Sequence, residues 1–167
     1  GISIVGTSGI VMPFSSDAFV RSIRREVEVC RALSPERLVI NSGARSERFV
    51  KAEYPDLPAQ AFVHFGNFIG ETLKIAAELG IPNVTMGIMV GKAVKLAEGS
   101  LDTHSKKVVM NKAFLQTVAA ESGCSPSAAE AITSITLARE LWHALTDTDR
   151  DRFFPALLRL CHRHCAP

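Results

Sequence analysis

Loops that contain glycine and follow apolar runs are the first feature of the sequence that could support chemistry. Gly6-Thr7-Ser8-Gly9 follows the apolar run 2–5, and similar loops contain Gly43, Gly66 and Gly91. Glycine lets backbone amides approach a ligand closely, and amides at a helix start bind phosphate or carboxylate groups. The first loop has neither the GxGxxG pattern nor the lysine of a phosphate-binding loop. Ligand contact and a plain turn therefore both remain open for it.

Polar side chains accompany the middle two loops. Asn41 and Arg45 flank Gly43, Asn67 follows Gly66, and His64 lies just before it. An asparagine amide can hydrogen-bond a ribose or a carboxylate, and an arginine can bind a carboxylate with two parallel hydrogen bonds. The alternatives are that Asn67 caps a helix, that Arg45 is solvated, and that His64 lies in the core rather than in a pocket wall.

The densest polar stretch of the chain begins at Gly91. Lys92 and Lys95 lie at the start of a predicted helix, where the helix dipole already favours anions, and His104 and Ser105 follow in a loop. A histidine beside a cleft can act as an acid, a base or a hydrogen-bond donor. The alternative is a loop histidine with no chemical role.

The cysteines do not predict a metal site. No CxxC pair is present, and within Cys161-His162-Arg163-His164-Cys165 only the two cysteines share a helical face. We therefore expect no metal bound by the protein. Free thiols and the absence of a signal-peptide pattern predict a reduced, cytoplasmic protein.

Alternation of strands and helices predicts the fold that positions these residues. The expected class is α/β, with a Rossmann-like, mostly parallel sheet flanked by helices and a helical carboxyl-terminal tail. Residues 1–105 form the predicted α/β core, and residues 106–167 form a helical extension of the same domain that kinks or restarts at Pro155. The predicted strands are 2–5, 37–41, 61–65 and 84–89, and the predicted tail helices are 108–121, 126–145 and 149–165. Ser15-Ser16-Asp17 predicts a helix start, and Gly80 predicts a left-handed helix end. Ligands bind at the carboxyl ends of such strands, where all four glycine loops fall.

Composition excludes several classes of protein. The 167 residues fit one domain, and 19 basic against 17 acidic residues leave a net charge of only +2, which argues against a nucleic-acid binder. No apolar run approaches the roughly 20 residues of a membrane span. The chain opens on Gly1 at the edge of an apolar run, and we expect it to be a piece of a longer protein or a processed one.

Four stretches together resemble the CbiD family. The first is Gly1-Ile2-Ser3-Ile4-Val5-Gly6-Thr7-Ser8-Gly9-Ile10-Val11, followed by Pro13 and Ser15. Gly43 with Glu47-Arg48-Phe49 is similar to the family's G-N-x-G-E-R-F loop, and Asn67-Phe68-Ile69-Gly70 is similar to its S-N-F-x-G turn. Gly91-Lys92, Lys95-Leu96-Ala97, Gly99 and Thr103-His104-Ser105 are similar to its G-K-x-x-K-L-A-x-G…T-H-S run. The chain departs from the family pattern at Ala44, Ser46, Gly66 and Met89-Val90.

The resemblance implies a function. CbiD proteins are C-methyltransferases of anaerobic cobalamin synthesis, which transfer a methyl group from S-adenosylmethionine to the corrinoid cobalt-precorrin-5B. It implies that His104 is catalytic and that Arg45, Lys92, Lys95 and Ser105 bind the substrate. It implies a methyl-donor site formed by Gly6, Thr7, Ser8, Gly9, Asn41, Gly43, Asn67 and Gly91. It also implies an amino-terminal domain of the parent chain as partner.

Two other functions stay open at this point. The same loop edge could serve a nucleotide-dependent transferase of another class. Alternatively, the chain could be a non-catalytic assembly domain or a homodimer, supported only by the apolar stripe 135–145 that contains Trp142.

Overall fold

The computed structural model describes residues 15–101 and 110–165. Four of the sequence predictions lie outside these residues: the strand 2–5, the loop Gly6–Gly9, His104 and Ser105. The helices are α1 (Ser16–Leu33), α2 (Ala44–Glu53), α3 (Ile69–Glu78), α4 (Val90–Ala97), α5 (Lys112–Glu121), α6 (Pro126–Ser134), α7 (Leu141–Ala144) and α8 (Asp147–Cys165). The strands are β1 (Leu38–Asn41), β2 (Phe62–His64) and β3 (Val84–Gly87), and short 3-10 helices cover Ala59–Ala61 and Ala138–Glu140.

The three described strands form one parallel sheet in the order β2-β1-β3. All four residues of β1 are buried, as expected for the central strand of a parallel sheet covered by helices. The register places Asn41 opposite both His64 and Gly87, so the three carboxyl ends meet at one edge. The predicted parallel pairing is confirmed for these strands. The described fold is nonetheless mostly helical, around a small sheet.

Local sequence signals set several helix boundaries. Ser15 caps α1, because its hydroxyl accepts the Ala18 amide at 3.2 Å. Gly80 ends the turn after α3 with φ +68°, the left-handed conformation that glycine adopts at helix ends. Both positions agree with the sequence prediction.

The predicted helix 126–145 is wrong as a single element. It divides into α6, a 3-10 turn and α7, with Ile135 in an extended conformation. The Glu140 carboxylate accepts the backbone amides of Thr136 (2.8 Å) and Leu137 (3.3 Å), so these amides do not continue the helix. The sequence predicts a kink or a restart at Pro155; the restart is wrong, because α8 continues through this residue. Proline has no backbone N–H, so the Asp151 carbonyl has no helical donor. Both residues are exposed, and water can bond that carbonyl.

The helical tail and the sheet layer share one hydrophobic core. α1 packs on β1 and β2, α2 packs on β1 and β3, and α8 packs on α4 and α5. The buried cluster contains Leu38 and Ile40 from β1 together with Phe153 and Leu157 from α8. The position of α4, whose start carries Gly91 and Lys92, is therefore fixed by α8.

Candidate functional site

The turn after β1 is shaped by Asn41. This side chain is buried, its Nδ2 donates to the Val63 carbonyl at 3.3 Å, and its Oδ1 accepts the Gly43 amide at 3.1 Å. Both ends of the Asn41 amide are therefore bonded within the protein. The side chain ties β1 to β2 and orients the Gly43 turn.

Gly43 lies beside the end of β2. Its φ is +140°, a conformation that favours glycine, and a Cβ added there would lie 3.7 Å from His64 Nε2. Ser46 in the first turn of α2 donates to the Gly43 carbonyl at 2.9 Å and accepts the Ser42 amide at 2.9 Å. Arg45 is exposed on the same turn of α2. The turn thus carries one solvent-facing cation next to a hydrogen-bonded backbone.

The turn after β2 is closed by an aromatic ring. Gly66 has φ +59°, and a Cβ at this position would lie 2.9 Å from Phe19 Cε1. The Phe19 ring also lies near His64 and Phe68, with centroid distances of 6.1 and 5.6 Å. The start of α1, the end of β2 and the Gly66 turn therefore form one packed unit.

Lys92 joins that turn to α4. Its ammonium donates to the Gly66 carbonyl and, at 3.0 Å, to Asn67 Oδ1, and it lies 5.5 Å from the centre of the Phe65 ring. Burial, and then the neighbouring charge of Lys95, lower the pKa of Lys92 below its ordinary value. The sequence predicts Lys92 as a substrate ligand, whereas the structure places its ammonium on the protein's own turn.

Lys95 and Gly91 have different surroundings from Lys92. The Lys95 ammonium makes no hydrogen bond or ion pair with any residue in 15–101 or 110–165, although the Lys95 carbonyl accepts the Ser100 amide at 3.0 Å. A Cβ added at Gly91 would meet nothing within 4 Å. The structure thus places Lys95 in the last turn of α4 rather than at its start, where the sequence predicts it, whereas the backbone at Gly91 is open.

A cleft of about 720 Å³ opens where α1 and α3 begin. Its described lining comprises Ser16, Asp17, Val20, Arg21, Phe68, Gly70, Glu71 and Leu101. Phe68 joins the cleft to the Gly66–Asn67 turn, so the cleft adjoins the carboxyl edge of the sheet. Sequence reasoning used Asp17 only as a helix-start signal and did not consider Glu71. Strand–helix alternation could have found both, because helices on a parallel sheet begin at its carboxyl edge.

The structure brings a subset of the predicted site residues together. The β1 turn and the β2 turn meet through His64, and Lys92 connects the second turn to α4. Asn41, Gly43, Asn67, Lys92 and Gly91 thus lie on one rim. The predictions for the Gly6–Gly9 loop, His104 and Ser105 concern residues that the structure does not describe.

The carboxyl-terminal cysteines pack inside the fold. The Cys161 thiol donates to the Ala93 carbonyl at 3.1 Å, and burial raises its pKa to about 11. The His164 ring lies beside Gly99, 3.3 Å from a Cβ built there. Within residues 15–101 and 110–165, no group of three or more His, Cys, Asp or Glu side chains could hold a metal ion. None of the helices that the structure describes is both long enough and apolar enough to cross a membrane.

The arrangement is that of a mixed helix and strand domain whose parallel strands end at a polar rim beside a cleft. Comparison with known proteins agrees with the resemblance: residues 102–167 match the family model described as CbiD, C-terminal domain. The chain is therefore similar to the carboxyl-terminal part of the CbiD family.

Curated relatives match nearly the whole chain. It is 39% identical over 161 residues to the cobalt-precorrin-5B C(1)-methyltransferase of Geobacillus sp. (strain WCH70), covering 96% of this chain and 44% of that protein. It is 39% identical over 166 residues to the protein of the same name from Prosthecochloris aestuarii (strain DSM 271 / SK 413), covering 99% and 45%. For the protein of that name from Thermus thermophilus, identity is 34% over 160 residues, covering 96% and 44%. The chain thus spans less than half the length of these relatives. No solved structure matches the chain.

Proposed function

We propose that this chain is part of an S-adenosylmethionine-dependent C-methyltransferase that acts on cobalt-precorrin-5B in anaerobic cobalamin biosynthesis. The observation that carries the proposal is the 39% identity, over 96–99% of the chain, to proteins that bear this name. The finer predictions, a Rossmann-like topology and a cytoplasmic location, belong to the same proposal.

The described rim suits the chemistry of methyl transfer. The reaction is an in-line displacement at a sulfonium, which needs donor and acceptor held in line and no covalent nucleophile on the protein. Such positioning can supply roughly 7–11 kcal/mol of the barrier. The Gly43 and Gly66 turns, the start of α4 and the adjoining cleft lie at the sheet edge where α/β proteins bind ligands.

Charge distinguishes two sides of this rim. S-adenosylmethionine carries a sulfonium and an ammonium against one carboxylate, and the cleft carries the carboxylates of Asp17 and Glu71 beside Arg21. We place the donor in this cleft, with the Gly6–Gly9 loop, Gly43, Asn67 and Gly91 as its proposed backbone and amide contacts. The product of transfer lacks the sulfonium charge, so its attraction to the two carboxylates is weaker and its release is favoured.

The acceptor bears many carboxylates and needs cations. Among the predicted substrate-binding cations that the structure describes, Lys95 and Arg45 have side chains that bond no other described residue. We therefore place the corrinoid next to these two side chains. Ser105 and His104 keep their proposed roles as a substrate contact and as the group that orients the macrocycle or moves a proton. Histidine is suited to both tasks, because an unperturbed imidazole gains and loses a proton near neutral pH.

The proposal includes a partner region, because the relatives are more than twice as long as this chain. Because the chain spans 44–45% of these proteins, we propose that the remaining region acts together with this one on the corrinoid. A homodimer stays a second, weaker proposal. Its candidate residue Trp142 is 55% exposed, yet it packs on Phe154 and under the Arg150 guanidinium of its own chain.

Titration calorimetry tests the proposal. S-adenosylmethionine, S-adenosylhomocysteine and ATP are titrated into the 167-residue chain and into a full-length protein that contains it, followed by transfer of a labelled methyl group to cobalt-precorrin-5B. We expect the full-length protein to bind both adenosyl compounds and to methylate the corrinoid. Binding of ATP with no binding of either adenosyl compound would instead support the nucleotide-dependent transferase.

A further inference from the structure

Two sequence motifs meet at a single ammonium. Lys92 lies in the Gly91-Lys92 motif and Asn67 in the Asn67-Phe68-Ile69-Gly70 turn, and Lys92 Nζ reaches Asn67 Oδ1 at 3.0 Å. We propose that Lys92 is a positioning residue, whose ammonium fixes the Asn67 side chain so that its N–H groups face the ligand. The inference rests on the proposed function for the identity of that ligand.

The orientation of the Asn67 amide follows from the chemistry of the two groups. An ammonium has three donors and no acceptor, so it can bond only the oxygen of the asparagine amide. The nitrogen Nδ2 is consequently turned away from Lys92. Nδ2 donates no hydrogen bond to any other residue within 15–101 and 110–165. Asn67 therefore presents donors, and the ligand group it recognises must be an acceptor.

Lys92 itself is held firmly enough to impose this orientation. Its ammonium also bonds the Gly66 carbonyl and lies over the Phe65 ring, and its side chain is half-buried. Two of its three hydrogens are used on the Gly66–Asn67 turn. Of the two α4 lysines, the one left for a carboxylate of the acceptor is Lys95, one helical turn further along the helix.

The donor molecule has acceptors of the required kind. Its amino-acid carboxylate and its adenine nitrogens can both accept from an asparagine N–H. A carboxylate is the stronger partner, because hydrogen bonds with one charged group exceed neutral ones. We therefore expect Asn67 to contact an acceptor atom of S-adenosylmethionine.

Asn67→Asp separates positioning from a structural role. Aspartate keeps an oxygen for Lys92 and adds an ion pair, but it has no N–H for the ligand. We expect the urea midpoint to be unchanged or higher. S-adenosylmethionine binding should weaken about 10- to 100-fold, because one charge-assisted hydrogen bond is lost. Lys92→Met should lower both stability and binding, whereas the control Lys95→Met should leave donor binding within about twofold. An Asn67→Asp protein that binds the donor like the wild type would overturn the proposal.

A second measurement needs no ligand. In the wild-type chain, the side-chain amide resonances of Asn67 should be dispersed and rigid in ¹⁵N NMR, and in Lys92→Met they should move to the averaged values of a free asparagine. If these resonances are unaffected in Lys92→Met, Lys92 does not hold Asn67 and the proposal fails. If the full-length wild type binds no adenosyl compound, the proposed function fails, and the NMR comparison still decides the role of Lys92.

Discussion

Three glycines allow the cost of a single added methyl group to be separated into its physical parts. Gly91 has open space and no left-handed φ, Gly80 has open space and φ +68°, and Gly66 has φ +59° and the Phe19 ring 2.9 Å from an added Cβ. Alanine at Gly91 should raise the free energy of unfolding by about 0.5–1 kcal/mol, because it restricts the unfolded chain within a helical position. Alanine at Gly80 should lower it by about 1–2 kcal/mol, the cost of the left-handed conformation.

Gly66→Ala adds a steric effect to the same backbone cost. The Phe19 ring must move, and it loses part of its contacts with His64 and Phe68. Aromatic pairs contribute about 0.5–1.5 kcal/mol each, so the total destabilisation should reach about 2–5 kcal/mol. Urea unfolding followed by circular dichroism measures all three variants. A Gly66→Ala protein no less stable than Gly80→Ala would refute the claim that Phe19 closes this turn.

The Gly91 variant also bears on the proposed site. If a ligand contacts the backbone of Gly91, the added methyl group will occupy part of the space that the ligand needs. Gly91→Ala should then be more stable than the wild type and yet bind S-adenosylmethionine more weakly. Higher stability with unchanged binding would remove Gly91 from the proposed donor contacts.

The other predictions concern the helical tail. The Cys161 thiol is buried, and its pKa is raised to about 11. Because only the thiolate reacts, Cys161 should resist iodoacetamide at pH ~8 until α8 unfolds. Mass spectrometry of labelled peptides along a urea series checks this prediction. Hydrogen bonds from the Ser125 amide and from the Thr146 and Ser125 hydroxyls lower the pKa of Asp149 below its ordinary value. The stabilisation that Asp149 provides should therefore be complete above the ordinary pKa and be lost as the pH falls through the lower folded value. Asp149→Asn should flatten the acid limb of the urea midpoint plotted against pH. Leu157→Ala should cost about 2–5 kcal/mol in urea unfolding, whereas its exposed neighbour Leu158→Ala should cost under about 0.5 kcal/mol; equal losses would contradict the packing of α8.

Local patterns were sufficient to predict the elements that depend on neighbours in sequence. The cap at Ser15 and the left-handed Gly80 need only a few adjacent residues to form, and both agree with the prediction. The split of the helix 126–145 was missed, although Glu140 lies only three and four residues from the amides it binds. Helical spacing of apolar residues outweighed that capping signal in the sequence reasoning.

The candidate site was predicted only in part, because residue type does not state which atoms a side chain will meet. Asn41 was expected to contact a ligand, but it is buried and bonded to β2 and to its own turn. The cleft at Asp17 and Glu71 was missed. Strand–helix alternation could have placed both helix starts at the carboxyl edge, but only the fold shows that these two starts lie side by side.

The amino-acid sequence by itself determined the resemblance to the CbiD family, the three described parallel strands and the position of the glycine turns that follow them, because motif, apolar run and turn chemistry are all encoded over a few residues. Only the tertiary structure decided that the Lys92 ammonium bonds the protein's own turn, whereas the Lys95 ammonium bonds none of the described residues. The two lysines have the same chemistry and lie one helical turn apart. What distinguishes them is a backbone carbonyl 26 residues earlier in the chain and an amide oxygen 25 residues earlier. The packing of α4 on α8 accompanies a position in which just one ammonium reaches these oxygens.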